Sequence, residues 1–253
     1  MTLKLGKLPA RPGAVSLRFS DYANTTLMPD PPRDFGHETL IANWGMLGND
    51  VAGNCFFAGS CHEIMLWNAE AGVTVPFDDK TALANYSEVT GYDPTQPNSD
   101  NGTDVASALA LRRRVGFFDA TGKRHKIAAY VALEPGNIEQ LRYAAYYFDG
   151  VGIGVQFPEQ WMESFSQGSR RWDHVASPNY NGGHYISTVA WRDGNPVVIS
   201  WGQKIQLTPA AFQQNADEVY AYLTIEKLVN GIDLEGLNLA KLEDDLKGLT
   251  GVK

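Results

Sequence analysis

The chain has 253 residues, long enough for one large domain with a substantial core or for two small ones. Its net charge of -8 and its acidic balance argue against a broad nucleic-acid face. No apolar run approaches the ~20 residues of a membrane span. The opening MTLKLGKLPARPGAVSL has lysines but lacks the apolar stretch of a secretory signal, so the expected location is the cytoplasm of the producing cell. There are two cysteines, Cys55 and Cys61. On one helix they would stand about 9 Å apart along the axis, too far for a disulfide. Two free thiols fit a reducing compartment.

Residues 1–45 are proline-rich and irregular, and read as an extended arm with a short strand at Val15–Phe19. Leu17, Phe19, Tyr22, Leu27, Phe35, Leu40 and Trp44 give that arm apolar anchors for docking. Residues 46–54, MLGNDVAGN, form a glycine-rich loop. A helix follows from Cys55, capped by Asn54 and ended at Gly72, with Phe57, Ala58, Cys61, Ile64 and Met65 on one apolar side. A second helix is expected over Lys80–Glu88. TGYDPTQPNSDNGTD is a loop whose spacing does not fit an EF-hand. Asp104 then caps a helix running to Arg114, and its Arg112-Arg113-Arg114 run reads as a solvated face.

The second half changes character. His125–Leu133 reads as a strand and Asn137–Phe148 as a helix capped by Asn137. Val151–Phe157 and Tyr185–Trp191 are strands. The turn Arg192-Asp193-Gly194-Asn195 joins the latter to Pro196–Trp201 in a hairpin. Thr208–Asn215 is a short helix and Glu218–Thr224 a strand. The leucine spacing of the tail, within 229–253, suggests a helix packed on the body. Helices early and a mainly antiparallel sheet late point to an α+β domain over residues 46–228.

Two residues stand out chemically. A thiol at a helix N-terminus, as at Cys55, meets the positive end of the macrodipole and unpaired N–H groups, both of which favour thiolate. The alternative is a small buried cysteine at a helix start. His184 leaves the turn Asn181-Gly182-Gly183 and opens a strand, where a base can reach a helix terminus. His62 lies about 10 Å from Cys55 along the helix, too far for direct contact, and reads as a core or hydrogen-bonded histidine. The same spacing keeps Cys55, Cys61 and His62 from converging on zinc. His37, His125 and His174 sit in polar stretches and read as surface residues. No metal or other cofactor is expected, and no phosphate loop, dinucleotide fingerprint or GxSxG elbow is present.

Gly53-Asn54-Cys55-Phe56-Phe57-Ala58 resembles the nucleophile segment of papain-like cysteine peptidases. Gly183-His184-Tyr185-Ile186, followed by Ile199-Ser200-Trp201-Gly202, resembles their histidine strand and Asn-Ser-Trp-Gly hairpin. Asn101-Gly102 and Gly150-Val151-Gly152-Ile153-Gly154-Val155 resemble the family's Gly-Gly turn and central strand. The separation of Cys55 from His184, about 130 residues, also matches. The similarity runs over residues 46–225. The whole chain is also similar to phage and prophage proteins of unassigned function that share an LGKLPARPG-type opening, a GGH strand and a leucine-rich acidic tail, here LAKLEDDL.

The resemblance implies a papain-like fold, with the cysteine's central helix packed on the sheet that carries the histidine. It implies Cys55 as nucleophile, His184 as base, Asn49 as oxyanion donor and Trp201 as the indole shielding the histidine's partner. Gly53, Asn54 and Gly183 would border the cleft. One departure stands out: the family's orienting asparagine falls on Ile199, or on Ser200 if the hairpin shifts by one. Isoleucine accepts no hydrogen bond, and serine accepts one only weakly. Two functions follow as expectations. One is a phage-related cysteine hydrolase cleaving an amide bond in a protein or peptide. The other is a catalytically degenerate virion protein, in a decoration or tail-associated role, that binds other virion proteins.

Overall fold

The computed structural model describes residues 3–224, 240–242 and 244. Three helices precede the main strands: α1 (Cys55–Glu70), α2 (Asp79–Thr90) and α3 (Val105–Arg114). Three more, α4 (Ile138–Phe148), α5 (Glu159–Ser166) and α6 (Pro209–Asn215), are threaded between strands. The strands are β1 (Phe35–Gly36), β2 (Phe117–Phe118), β3 (Arg124–His125), β4 (Ala129–Leu133), β5 (Val151–Pro158), β6 (Arg171–Trp172), β7 (Tyr180–Arg192), β8 (Asn195–Ser200), β9 (Gln203–Leu207) and β10 (Ala216–Leu223). The large sheet runs β4-β10-β5-β7-β8-β9-β6, with β1 added on β7. Every pairing in it is antiparallel except β6 with β9. The α+β expectation is borne out.

The caps form as their residue types dictate. Asp104, Asn137 and Thr208 accept from the backbone N–H of Ser107, Gln140 and Ala211 at 2.8, 3.0 and 3.2 Å, satisfying first-turn donors. The β7–β8 hairpin turns through Asp193 and Gly194, both in the left-handed region at φ 51° and 76°. Val15–Phe19 is not a strand: Leu17 lends one carbonyl to Ala132 N–H, at 2.8 Å, before the chain enters a 3-10 turn at Phe19–Asp21. The strand expected over His125–Leu133 is two: β3 pairs with β2, and β4 with β10.

The sheet holds two layers apart. Ile153, Val155, Ile186 and Val198 face α4 and α6. Tyr185 faces α1 with Phe56 and Phe57. Helix α1 is not striped as expected, because Cys55 to Ile64 are buried without a break. A helix buried all round belongs at the centre of a fold. Gly59 sets its depth: a Cβ there would lie 2.7 Å from the Tyr185 ring and 2.9 Å from Ser187 Oγ. Charge is buried in the same layer. Glu63 accepts from Arg112, from Tyr185 Oη at 2.8 Å and from Ser187 Oγ at 3.0 Å. Arg112 is therefore a fully buried ion-pair member rather than part of a solvated face. Of the tail, Leu242 is buried in the core; residues 229–239, 243 and 245–253 lie outside the described residues. Among the described residues no helix is long and apolar enough to cross a membrane.

Candidate active site

Cys55 is the first residue of α1 and is 1% exposed. Asn54 holds the cap position, but its side chain does not cap; its amide donates back to Leu47 O at 2.8 Å. The Asn54 carbonyl instead receives Phe57 and Ala58 N–H, at 2.8 and 3.0 Å. Burial pushes the Cys55 thiol up to about 11, against the pull of the Tyr185 amide, the Lys7 charge and the amides of Gly6 and Phe56. Cys61, also free and buried, is pushed up further by burial.

His184 opens the buried part of β7 opposite Val155 of β5. Its ring stacks on Trp201, centroids 4.5 Å apart at 23°, and meets the Phe157 ring edge-on at 5.3 Å. Trp201 reaches that position because the β8–β9 turn takes φ 46° at Trp201 and 69° at Gly202. Nε2 lies 2.7 Å from Ser200 Oγ. Ser200, and not Ile199, is thus the histidine's partner; Ile199 packs with Trp44, Leu66 and Val189. A hydroxyl both donates and accepts, so it fixes the tautomer less firmly than a carbonyl does. Nδ1 is buried with no hydrogen-bond partner among the described residues. Burial drives the imidazole down to about 3, so it is neutral. Thiol and imidazole are not hydrogen-bonded to each other in this state, although the amide of Tyr185, next in sequence to His184, faces the thiol.

The other expected residues divide. Asn49 is 2% exposed and turns its amide to Ala52 O at 3.2 Å, within its own loop. Gly53 donates its N–H to the Asp100 carboxylate at 3.0 Å and leaves room for the arm, since a Cβ there would lie 2.8 Å from Leu5 O. Gly183 offers its carbonyl to the N–H groups of Gly6 and Lys7 at 3.2 and 3.0 Å. His62 is structural, as expected. Its Nε2 meets Trp44 O at 2.9 Å, and burial lowers it to about 4.

The arm itself is part of the site, which the sequence alone does not indicate. Lys4 N–H donates to Asn49 O at 3.1 Å, Trp201 Nε1–H to Lys4 O at 3.3 Å, and Thr103 N–H to Gly6 O at 2.7 Å. Leu8 N–H donates to Thr103 O at 3.0 Å. The segment Lys4–Leu8 therefore bridges the Thr103 side and the Gly183 side of the cleft and covers the thiol. The glycine in LGKL was the available signal, because only a residue without a Cβ passes Gly53: a Cβ on Gly6 would fall 1.8 Å from Gly53 O.

Similarity to solved structures decides the fold. Xylellain, a cysteine protease from Xylella fastidiosa, superposes with a TM-score of 0.60 at 12% identity, over 89% of this chain and 98% of that one. The fold is papain-like. The Carica candamarcensis cysteine protease CMS1MS2, in complex with E-64, gives 0.56 at 14% identity over 77% and 99% of the two chains. Digestive procathepsin L 3 from the Tenebrio molitor larval midgut gives 0.53 at 12% over 80% and 75%. No family model and no curated sequence matches the chain. In this papain-like fold the central helix carries Cys55 at its N-terminus and packs on the mainly antiparallel sheet that carries His184.

Proposed function

We propose that the chain is a cysteine hydrolase of amide bonds in proteins or peptides, here in a closed state with Lys4–Leu8 lying in its cleft. One observation carries this reading: His184 is held by Ser200 at Nε2 and by the Trp201 stack, while its buried Nδ1 is left without a partner among the described residues. A side chain so fixed, with one nitrogen unspent, is arranged to take a proton. When the arm lifts and water enters, the burial that separates thiol and imidazole in proton affinity falls on both. Nδ1 then takes the thiol proton, with Nε2–H donated to Ser200 Oγ. The thiolate adds to the amide carbonyl carbon, and the oxyanion meets N–H groups at the start of α1. The C–N bond breaks as His184 returns the proton to the leaving nitrogen. Water, deprotonated by His184, cleaves the thioester, releases the acid and restores the thiol. Asn49 joins only by turning away from Ala52.

The test is peptide cleavage by intact protein carrying Gly6→Ala to unseat the arm, with products of a mixed peptide pool read by mass spectrometry. Cleavage that disappears on adding Cys55→Ala or His184→Ala, and that drops at least tenfold with Ser200→Ala, supports the reading. Cleavage unaffected by Cys55→Ala, or no cleavage at all, sinks it. A second reading, a phage structural protein that keeps the fold without the chemistry, draws on Ser200 standing in place of an amide and on both groups being sealed. It predicts an inert Gly6→Ala protein and a chain present in purified virions.

A further inference from the structure

Lys7 is the least expected residue of the cleft. Lysine is almost never fully buried unless paired, yet this side chain is 0% exposed. Its Nζ donates to Leu8 O at 2.9 Å and to Asp217 Oδ2 at 2.9 Å, and lies 3.2 Å from Glu218 Oε1. Both acids stand at the start of β10, more than two hundred positions away in sequence. Glu218 is fixed in turn by Tyr220 Oη, which donates to its Oε2 at 2.9 Å. The lysine stem reaches them through a slot made by a missing side chain. A Cβ on Gly154 of β5 would lie 2.6 Å from Lys7 Cε, 2.8 Å from Cδ and 2.5 Å from Glu218 Cγ. The slot opens beside the reacting group, since the preceding residue, Gly6, puts its amide on the Cys55 thiol.

We propose that Gly154, Asp217 and Glu218 form a specificity subsite for a basic side chain close to the attacked bond, and that Lys7 occupies it in the closed chain. The proposal rests on the hydrolase reading and names its substrate class. The physical case is one of charge and shape. Two carboxylates face one ammonium, so the slot stays net negative even when filled. With Lys7 gone they are left close together without a counter-ion, and a cation relieves their repulsion without costing either a proton. An apolar side chain would fill the slot yet leave both acids unpaired, and an acidic one would add a third negative charge. Asp217 Oδ1 is buried with no partner among the described residues, which leaves an acceptor for the additional donors of a guanidinium. Arginine therefore fits as well as lysine.

The experiment uses full-length Lys7→Ala protein, in which the slot is vacated. Acetyl-Lys-Gly, acetyl-Leu-Gly and acetyl-Glu-Gly fluoromethyl ketones are compared for their rates of alkylating Cys55, read by intact mass. In parallel, binding of the unreactive amides acetyl-Lys-Gly-NH2 and acetyl-Leu-Gly-NH2 is measured by calorimetry on Lys7→Ala/Cys55→Ala protein. The expected result is at least tenfold faster alkylation by the lysine probe than by the leucine probe, with the glutamate probe slowest. Asp217→Asn together with Glu218→Gln should abolish the difference. Equal rates for all three probes overturn the subsite and leave the thiol chemistry standing. Lysine-selective binding without alkylation keeps the subsite and rejects the hydrolase reading; neither selective binding nor alkylation rejects both. Should Lys7→Ala lose its cooperative unfolding transition, Gly6→Ala carries the same comparison, because it displaces the backbone of the arm without touching the acids.

Discussion

A single methyl group at Gly6 should unmask Cys55. In Gly6→Ala the new Cβ falls 1.8 Å from Gly53 O, a backbone atom with no freedom to yield, so the segment over the thiol must lift. Resolvation then returns the thiol from about 11 toward an ordinary 9.0. At pH 8 the thiolate fraction rises from about 0.1% to about 9%, roughly ninetyfold. The less basic thiolate is about eightfold less nucleophilic for a Brønsted slope near 0.45. Ionisation alone therefore leaves about a tenfold gain, and freer access adds to it. The assay is iodoacetamide labelling of the intact protein, with the modified site located by peptide mass spectrometry. Cys61, 0% exposed inside α1, is the internal control and should stay unlabelled. Labelling of Cys55 at the wild-type rate, with the unfolding transition of Gly6→Ala unchanged, would refute the reasoning. Labelling of both cysteines would report unfolding instead of opening.

Two further outcomes follow from buried charge. His184 and His62, at about 3 and about 4, are neutral in the folded protein, whereas in the unfolded chain they titrate near 6.5. Between these values the unfolded state binds more protons, so stability falls as pH drops below 6.5; at pH 5 the two cost about 4 kcal/mol together. Urea unfolding at pH 7 and pH 5 measures this, and a difference under about 1 kcal/mol contradicts it. Arg112→Met should cost about 3–5 kcal/mol, because it strands Glu63 among Tyr185 and Ser187. Adding Glu63→Gln should recover most of that loss in the same denaturation assay, and failure to recover would show that packing of the guanidinium between Trp67 and Tyr222 dominates.

What the sequence made legible was local or carried by resemblance. Asp104, Asn137 and Thr208 cap their helices through contacts three residues away, and the Asp193-Gly194 turn needs only its own backbone preferences. The helix at Cys55 and the strand at His184 were readable for the same reason. Helix α5 was not, because Trp161 and Phe165 are its only buried residues and eight residues give too short a pattern. The single strand expected over His125–Leu133 is two, because a continuous apolar alternation does not reveal that its two ends pair with different partners. Arg112 looked solvated because its partner, Glu63, sits 49 positions away on another helix. Asn54 is expected to cap α1 through its side-chain oxygen, but its NH2 donates to the Leu47 carbonyl, supplied by a left-handed turn at φ 53°, and this turns the amide away from the first-turn N–H groups. Lys7 and its acids were invisible as a group, since nothing in a lysine-bearing arm marks one lysine for burial.

The bond from Lys7 to Asp217 spans 210 positions, and it sets an order of events at the ribosome. The arm emerges first, but the Lys7 ammonium has no acid to latch onto until β10 has been made. At 5–20 residues per second that interval is about 10–40 s. By then α1 and β7 have already been made, so the cysteine and the histidine both precede the acids that latch the segment covering them. A newborn chain thus passes through a period in which the covering segment is held by Asn49, Thr103 and Gly183 alone, without its lysine latch, and translation speed sets how long that period lasts.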